Sequence, residues 1–518
     1  MRENRMDSTG SIIETFETVC HRYPDNTALI CKHTTLSYSE LLACVRAWSS
    51  AIDQTLNASK SNNKVLIYLD KSLAYVEAIY ATLSQGGTYI PVDATQPIER
   101  VQLIIEQAQP DIIITTALRK ETLEPLLTDK NIHHHFLTLE GFESNKSQYQ
   151  QNPIEPFVKP DPSHIAAILF TSGSTGVPKG VQITHQNLSY FIDWAVTELK
   201  ITDQDCLSNH APFAFDLSTF DLFAAGTTGA ASWIITHDQQ RDVKELSHGI
   251  KNHGVSIWYS VPSVLSMMIN AGALTTSNNA TLRHVIFAGE PFSLKGLAAL
   301  KAALPNETSL YNWYGPTETN VCFSHKVTDD DFTRSSLPIG APLPGLDAIL
   351  LPQETQDKHH PNQHCGELLI SGPCVTPGYM NVEKPEITAH HKVHQHPTGD
   401  LVILQDNLYF YQGRLDDMVK INGNRVELGE ISNCIDQLPT IKQSVVIYTE
   451  GTETPKLIVF ATLNHQDSKV NILQIKKHVS TQLPKYMIPN SLVILHRFPL
   501  NPNGKVDKKA LKTLALEG

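Results

Sequence analysis

Cysteine is scarce in this chain: eight of its 518 residues are cysteine, and no two of them form a CxxC pair. A secreted disulfide scaffold would be richer in cysteine, so we interpret these residues as free thiols in a reducing compartment. The N-terminal residues, MRENRMDSTGS, also lack the apolar core of a signal peptide. Both observations predict a cytoplasmic protein.

Long apolar runs and an excess of positive charge are absent as well. No stretch approaches the roughly 18 uninterrupted apolar residues of a membrane-spanning helix. Asp and Glu number 53 against 41 Lys and Arg, which gives a formal net charge of −12. A globally acidic chain does not hold nucleic acid or an anionic membrane by bulk charge, so we expect neither as a partner.

Short apolar runs, by contrast, are frequent, and 41% of the residues are hydrophobic. At about 100–200 residues per domain, the length predicts two to four domains. Continuous apolar strands alternate with helical patterns, which is typical of α/β folds with helices on both faces of parallel sheets. The predicted strands are 64–68, 87–92, 111–115, 165–170, 256–259 and 284–287, and predicted helices lie at 73–85 and 103–109.

The pattern changes from Gly366 onward. The segments GELLISG and NLYFYQG are short strands bounded by turn residues, which indicates a small β subdomain. Mixed α and β patterns then return, with strands at 445–447 and 457–462 and a helix at 472–482.

Histidine is frequent, with 23 residues that include runs at 133–135 and 359–360 and a scatter over 390–396. A metal site needs an ordered set of ligands at suitable spacing. These runs lie in polar stretches instead, so we interpret them as solvated surface loops.

The stretch Leu169–Gly180, LFTSGSTGVPKG, is a strand followed by a loop with three glycines, four hydroxyl residues and a lysine. Glycines let the backbone approach a ligand closely, and hydroxyls can donate to phosphate oxygens. It is not a Walker A loop, because Lys179 stands between Pro178 and Gly180 and no Ser or Thr follows it. From these residues alone, both a phosphate loop and a plain turn after a strand remain open.

The string TSGSTGVPKG resembles the signature loop of the acyl-adenylate-forming superfamily, which includes nonribosomal peptide adenylation domains, acyl-CoA synthetases and firefly luciferase. Further segments resemble that family's motifs, in the family's order, between residues 36 and 505. They are LSYSEL (36–41), LSQGGTYIPVD (83–93), FDLS (215–218), NWYGPTE (312–318), GELLISGPCVTPGY (366–379), TGD (398–400), GRLDDMVKINGNRVELGE (413–430), LPKYMIP (483–489) and NGK (503–505).

The resemblance implies that a carboxylic acid attacks the α-phosphate of ATP, that pyrophosphate leaves, and that a thiol then takes the acyl group. It implies ATP and Mg²⁺ as cofactors, with Glu318 toward the metal. The implied ATP-binding residues are Thr171, Ser172, Gly173, Ser174, Thr175, Gly176, Lys179, Asn312, Tyr314, Gly315, Thr317, Asp400, Tyr411 and Arg414. Taken singly, three of the implied nucleotide-binding and metal-binding residues have plain alternatives: Tyr314 as a core aromatic, Glu318 as a solvated carboxylate and Asp400 as a helix cap.

By the same resemblance, residues 1–413 form a large N-terminal adenylation core of two α/β subdomains and a small β subdomain. Residues 414–518 form a small, mobile α+β domain that rotates about Asp416 between the two half-reactions. Lys505 would serve the adenylation step, and Lys420 would approach the thiol in the second step. The sequence departs from the family before TGD, where His396-Pro397 replaces the usual aromatic or arginine.

Asp216, in FDLS, separates the classes of acid. In amino-acid-activating members the matching aspartate pairs with the substrate's α-ammonium group, whereas an acid without an amine would leave a buried carboxylate unpaired. A structural role for Asp216 as a helix N-cap is the alternative. The implied substrate-pocket residues are Asp216, Leu217, Phe220, Ser260, Ile286, Ala288, Gly289, Trp313, Val321 and Cys322, with Lys505 closing the set.

This lining is mostly apolar and bulky, which predicts a small aliphatic amino acid. The pocket that ends in Val-Cys-Lys resembles that of prolyl-adenylate ligases, so L-proline leads. D-Alanine is next, because the ligases that charge the teichoic-acid carrier share the stretch at 211–218. An acyl- or aryl-CoA ligase and a non-catalytic binding protein are the further alternatives. We find no GGxS-like turn of a carrier domain, and we therefore expect a separate phosphopantetheinylated carrier protein as partner.

Overall fold

A computed structural model describes most of the chain, apart from residues at both ends and several internal segments. The described residues are 11–56, 63–130, 132, 134–151, 157–173, 177–276, 279–352, 364–381, 394–416, 418–449, 455–465, 470–499 and 506–517.

Helices and strands alternate over the first part of the chain. They are α1 (Ile12–Arg22), β1 (Thr27–Cys31), β2 (Thr34–Ser37), α2 (Tyr38–Leu56), β3 (Lys64–Tyr68), α3 (Leu73–Ser84), β4 (Thr88–Pro91), α4 (Ile98–Ala108), β5 (Ile112–Thr115), α5 (Ala117–Thr128), β6 (His135–Thr138), α6 (Leu139–Gln151), β7 (Ile165–Thr171) and β8 (Lys179–Thr184). Strands β3 to β8 form a six-stranded sheet of order β6-β5-β3-β4-β7-β8. The central strand β3 pairs in parallel with both β4 and β5, which requires the helical crossovers that the sequence places between them.

The same alternation builds a second, nine-stranded sheet of order β15-β14-β13-β12-β11-β9-β10-β1-β2. Its further elements are α7 (His185–Leu199), β9 (Cys206–Asn209), α8 (Leu217–Thr228), β10 (Ala231–Ile234), α9 (Val243–Asn252), β11 (Ile257–Ser260), α10 (Pro262–Asn270), β12 (His284–Ala288), α11 (Leu294–Ala303), β13 (Ser309–Tyr314), β14 (Phe323–Lys326) and β15 (Ala341–Pro342). Strands β10, β9, β11, β12 and β13 are mutually parallel along the sheet, β14 is antiparallel to β13, and β15 is antiparallel to β14 at the edge.

The last part of the chain contains smaller sheets. Its elements are β16 (Asp347–Pro352), β17 (His364–Ser371), β18 (Gln395–Gln405), β19 (Leu408–Arg414), β20 (Met418–Ile421), β21 (Asn424–Glu427), α12 (Leu428–Asp436), β22 (Ile441–Tyr448), β23 (Leu457–Leu463), α13 (Ile472–Gln482), β24 (Ser491–Ile494) and α14 (Lys508–Glu517). Strands β16 to β19 form an antiparallel sheet, β20 and β21 form a hairpin, and β22, β23 and β24 form a three-stranded sheet.

The chain divides into two compact units. One comprises Met1–Ala94, Gln107–Leu169 and Gly180–Leu415, and the other comprises Thr95–Glu106, Phe170–Lys179 and Asp416–Gly518. In the second unit, Arg100 Nη1 donates to Glu430 Oε1 at 2.6 Å, and both side chains are buried. Replacing only one residue of a buried ion pair lowers stability strongly, because the remaining charge stays buried without its partner.

The predicted fold class, α/β with a large N-terminal part and a smaller C-terminal one, is confirmed. Helix α13 has the predicted bounds, and its start at Asn471 follows from a capping box with Gln474. Helix α4 begins at Ile98, before the predicted 103, and Val101 N donates to Pro97 O in its first turn. In the described part of the chain, no helix is both long and apolar enough to cross a membrane.

Acid should destabilise the fold through buried histidines. His185 is 2% exposed at the start of α7, and burial lowers its pKa to about 4. Its unfolded form binds a proton below about pH 6.5, so stability is full above pH 6.5 and falls as the pH drops toward 4. We expect His185 to lower the free energy of unfolding by about 2 kcal/mol at pH 5 relative to pH 7. Urea unfolding at the two pH values measures this difference. His185→Phe should reduce this difference between pH 5 and pH 7. His33→Gln, at an exposed position, is the control and should leave the difference unchanged. The same pH dependence of stability in both variants would contradict the role of His185.

Candidate active site

The carboxyl ends of the parallel strands in the nine-stranded sheet gather several predicted site residues. Ser260 ends β11, Ala288 ends β12 and Tyr314 ends β13. The register places Ala288 opposite Trp313 and Ser260 opposite Phe287, so these ends lie side by side. The edge beyond the carboxyl ends of parallel strands is where open α/β sheets bind ligands. The structure therefore brings the predicted pocket residues of three strands together.

Asp216 precedes helix α8, which begins at Leu217. It occupies the N-cap position with helical backbone angles, yet its side chain accepts no hydrogen bond from the first turn of the helix. The side chain is half-buried. Burial is the main cause that raises the pKa of Tyr259, and the nearby carboxylates of Asp216 and Asp221 raise it further. Asp216 thus stands at the N-terminus of α8, close to Tyr259 on β11, without capping the helix.

A cluster of buried and partly buried aromatic rings lies around Trp313, which is 1% exposed. Its ring centroid is 5.1 Å from that of Phe220, 5.2 Å from Trp194, 5.3 Å from Tyr259 and 5.9 Å from Phe191. Its indole Nε1 finds no hydrogen-bond partner among the described residues. Rings packed at these distances leave little room for a bulky ligand beside Trp313.

The other predicted pocket residues contribute apolar surface and tight turns. Ile286 is fully buried on β12, and Gly289 follows that strand with φ of +89°. Val321 and Cys322 are buried in the connection from β13 to β14. The Ser260 hydroxyl already has a hydrogen-bond partner within the protein, because Trp258 Nε1 donates to Ser260 Oγ at 2.8 Å. It is therefore less available to bind a substrate.

Tyr314, Asp400 and Arg414 form one hydrogen-bonded group. The Tyr314 hydroxyl donates to Asp400 Oδ2, and Arg414 Nη1 donates to Asp400 Oδ1 at 2.6 Å. Burial and the adjacent Asp400 carboxylate raise the pKa of Tyr314. Asp400 lies on strand β18 opposite Arg414 on β19, so the alternative that it caps a helix is excluded. Tyr411, on β19, pairs with Val402.

Glu318 is 1% exposed, which excludes the alternative of a solvated carboxylate. The Tyr379 hydroxyl donates to Glu318 Oε1, and His396 Nε2 lies 3.9 Å from Glu318 Oε2. Tyr379 ends a motif but has no predicted role, and the sequence-based interpretation of His396 is a solvated loop. That interpretation is wrong for His396, whose side chain is 17% exposed on β18.

The segment from Asn312 to Thr317 is held close to the start of β14. Asn312 Nδ2 donates to Pro338 O at 2.8 Å. A Cβ added to Gly315 would lie 1.6 Å from Asn320 O, so only glycine fits there. Thr317 is half-buried, and its carbonyl accepts from Asn320 N at 3.4 Å.

Part of the candidate phosphate loop is described. Thr171 ends β7, and its Oγ1 is buried with no hydrogen-bond partner among the described residues. Ser172 Oγ donates to Arg425 O at 2.8 Å. A Cβ on Gly173 would lie 2.0 Å from Val177 O. Lys179 begins β8. Residues Ser174, Thr175 and Gly176 lie outside the described residues.

The predicted catalytic residues of the C-terminal region are only partly described. Asp416 is exposed, and its Oδ1 accepts from Met418 N at 3.3 Å. Lys420 lies on β20 opposite Arg425 on β21. Lys505 lies outside the described residues.

No group of three or more His, Cys, Asp or Glu in the described residues could hold a metal ion by itself. Of the histidine stretches, residues 133, 359–360 and 390–393 lie outside the described residues. Mg²⁺ is commonly bound by one or two carboxylates together with substrate phosphates. The buried carboxylate of Glu318 fits such a partial donor set.

Comparison with known proteins agrees with these observations. The pattern of a family described as AMP-binding enzyme matches residues 16–380. An L-proline--[L-prolyl-carrier protein] ligase of Streptomyces coelicolor is 39% identical over 494 residues, which cover 92% of this chain and 91% of that protein. A D-alanine--D-alanyl carrier protein ligase of Listeria monocytogenes is 32% identical, over 98% of this chain and 99% of that protein.

The crystal structure of the Vibrio cholerae adenylation domain AlmE, in complex with glycyl-adenosine-5'-phosphate, has the same fold. Its TM-score is 0.82 at 23% identity, and the match covers 100% of both chains. This chain belongs to the AMP-binding enzyme family, as the resemblance of its motifs predicted.

Proposed function

We propose that this chain is an ATP-dependent ligase that activates L-proline as prolyl-AMP and transfers the prolyl group to the phosphopantetheine thiol of a separate carrier protein. The observation that carries this proposal is the carboxylate of Asp216. It is half-buried, does not cap its own helix, and lies near Tyr259, one of the aromatic rings around Trp313. A small substrate with a positive nitrogen beside its carboxyl group would form an ion pair with that carboxylate.

The proposed chemistry has two displacement steps. A carboxylate oxygen of proline attacks the α-phosphorus of ATP, the bond to the β-phosphate oxygen breaks, and pyrophosphate leaves. The thiolate sulfur then attacks the acyl carbon, the bond from that carbon to the phosphate oxygen breaks, and AMP leaves. Positioning and charge stabilisation dominate such reactions, so few reactive side chains are needed.

The roles of individual residues are part of the proposal. Asp400 would accept the ribose hydroxyls, and Tyr314 would offer its ring to the adenine. Thr171, with its buried hydroxyl, and Lys179 would contact the β- and γ-phosphates. Glu318 would hold Mg²⁺, which when bound neutralises phosphate charge.

The apolar, ring-rich surroundings of Trp313 favour L-proline. Around Trp313 the walls are aromatic, and Ile286, Val321 and Cys322 add apolar surface. The relative at 39% identity is named an L-proline ligase, which supports the same substrate here. D-Alanine is the second candidate, because a relative at 32% identity is named for it.

ATP–pyrophosphate exchange with a panel of acids tests the proposal. We expect exchange that depends on L-proline and much weaker exchange with D-alanine, a fatty acid or an aryl acid. Exchange that prefers D-alanine would replace the substrate, and exchange with a fatty or aryl acid would indicate a CoA ligase. Exchange with no acid would indicate a non-catalytic protein.

The thiol acceptor needs its own measurement. Labelled proline should appear on a phosphopantetheinylated carrier protein and not on the same carrier with its serine unmodified. Coenzyme A serves as the competing acceptor. Transfer to coenzyme A with none to the carrier would contradict the proposed partner.

Asp400→Asn should weaken ATP binding, because an amide cannot accept as two carboxylate oxygens do. Hydrogen bonds to charged groups contribute about 1.5–3 kcal/mol, so we expect the KM for ATP to rise by about 10- to 100-fold. The KM for proline should change little. Asp406→Asn, at the exposed turn of the same hairpin, is the control. A normal KM for ATP in the Asp400 variant would contradict the assignment.

A further inference from the structure

Lys71 holds three consecutive main-chain carbonyls. Its Nζ donates to Asn209 O at 2.6 Å, to His210 O at 3.1 Å and to Ala211 O at 2.7 Å. An ammonium group has three N–H donors, so all of them are used. The same nitrogen lies 5.2 Å from the ring centroid of Phe213, which adds a cation–π contact.

These carbonyls lie where the chain leaves the nine-stranded sheet and enters the loop that leads to Asp216. Asn209 is the last residue of β9, and Asp216 is the residue before α8. At the far end of this loop, Ser218 Oγ donates to Phe215 O at 2.7 Å. Lys71 therefore fixes the near end of the loop, while the start of α8 fixes the other.

The lysine comes from a distant part of the chain, between β3 and α3. Gln240 supports the same loop from another side, because its Nε2 donates to His210 O at 2.6 Å. The backbone of residues 209–211 is thus held by side chains from two separate segments.

Keeping a charged lysine buried at position 71 costs free energy. Burial lowers the pKa of Lys71 to about 7, although Asp221, Asp93 and Cys31 each favour its charged form. Asp221 is fully buried on α8, and its Oδ1 has no hydrogen-bond partner in the described part of the chain. Lys71 in turn disfavours a proton on the buried His210. An apolar side chain would fill this space at lower cost, but it would leave the three carbonyls without these donors.

We propose that Lys71 is a positioning residue for the amino-acid site: by clamping the carbonyls of residues 209–211, it sets the place of the loop that carries the Asp216 carboxylate. This inference rests on the proposed function, in which Asp216 binds the substrate's ammonium group. Asp216 lies at the end of this loop, directly before α8, so the backbone that Lys71 holds is continuous with the backbone that carries the Asp216 carboxylate.

Lys71→Met keeps the aliphatic stem and removes the donors. Since bonds from a charged donor are among the stronger ones, we expect the KM for L-proline in pyrophosphate exchange to rise by about 10- to 100-fold. The KM for ATP should stay the same. Lys32→Met, an exposed lysine paired with Asp238 at 3.4 Å, is the matched control. Equal rises in both KM values would indicate a general structural defect and would overturn the proposal.

A double-mutant cycle separates positioning from simple stabilisation. If Lys71 acts through Asp216, Lys71→Met should add little to the loss already caused by Asp216→Ala. Fully additive losses would overturn the proposal. If Lys71→Met does not fold, Gln240→Leu carries the test, with a smaller rise in the proline KM expected. An unchanged proline KM in that variant would then overturn it.

Failure of this inference differs from failure of the proposed function. If the unaltered enzyme shows no exchange with any amino acid, the proposed function fails. If the unaltered enzyme uses proline and Asp216→Ala loses that activity, while Lys71→Met keeps the normal proline KM, only the role of Lys71 fails.

Discussion

Asp216→Ala is expected to lower kcat/KM for L-proline in pyrophosphate exchange by about 10²- to 10³-fold. Truncating one partner of a desolvated charge pair costs about 2–5 kcal/mol, much of it because the other charge is left unpaired. In the proposed site, the charge left unpaired would be the substrate's ammonium group, next to the aromatic cluster around Trp313. The KM for ATP should change little.

Asp242 offers a matched control, because it is also an N-cap aspartate. Its carboxylate accepts from Lys244 N at 3.0 Å and Glu245 N at 3.2 Å, so it caps α9, whereas Asp216 makes no such capping bond to α8. Asp242→Ala should lower stability by about 0.5–2 kcal/mol and leave exchange unchanged. Asp216→Ala should leave stability nearly unchanged and lower proline-dependent exchange. Normal proline turnover in the Asp216 variant would remove the basis for an amino-acid substrate.

Lys505→Ala is expected to lower the rate of prolyl-AMP formation by about 10²- to 10³-fold. A single well-placed cation that stabilises charge developing at the α-phosphate has an effect of that size. Transfer from chemically prepared prolyl-AMP to the carrier should continue, because that step releases AMP and does not require pyrophosphate to leave. Single-turnover reactions quenched at set times measure prolyl-AMP formation and transfer to the carrier separately.

Lys509→Ala, an exposed lysine on α14, is the control for charge and location. It should keep both steps, and circular dichroism should show the same fold in both variants. Near-normal pyrophosphate exchange by Lys505→Ala would refute the assignment.

Much of the fold could be predicted because its signals are local. Buried parallel strands are continuous apolar runs, so 64–68 and 284–287 were recognisable without tertiary information. Helix α13 is bounded by its own cap and by Leu483-Pro484. The candidate phosphate loop is likewise one contiguous string.

The predictions were weaker where a residue's environment comes from elsewhere in the chain. Asp400 and Glu318 had plain alternatives in sequence, because a single carboxylate carries no mark of its partners. The structure excludes those alternatives through Arg414, Tyr314 and Tyr379.

The sequence by itself determined the α/β class, the family and the set of candidate residues, since each of these is encoded by short patterns along the chain. Tertiary structure alone decided which groups meet. Lys71 reaches carbonyls 138 to 140 positions away, and Tyr379 reaches Glu318 across 61 positions. Such hydrogen bonds form only after the sheets have assembled, and no local periodicity records them.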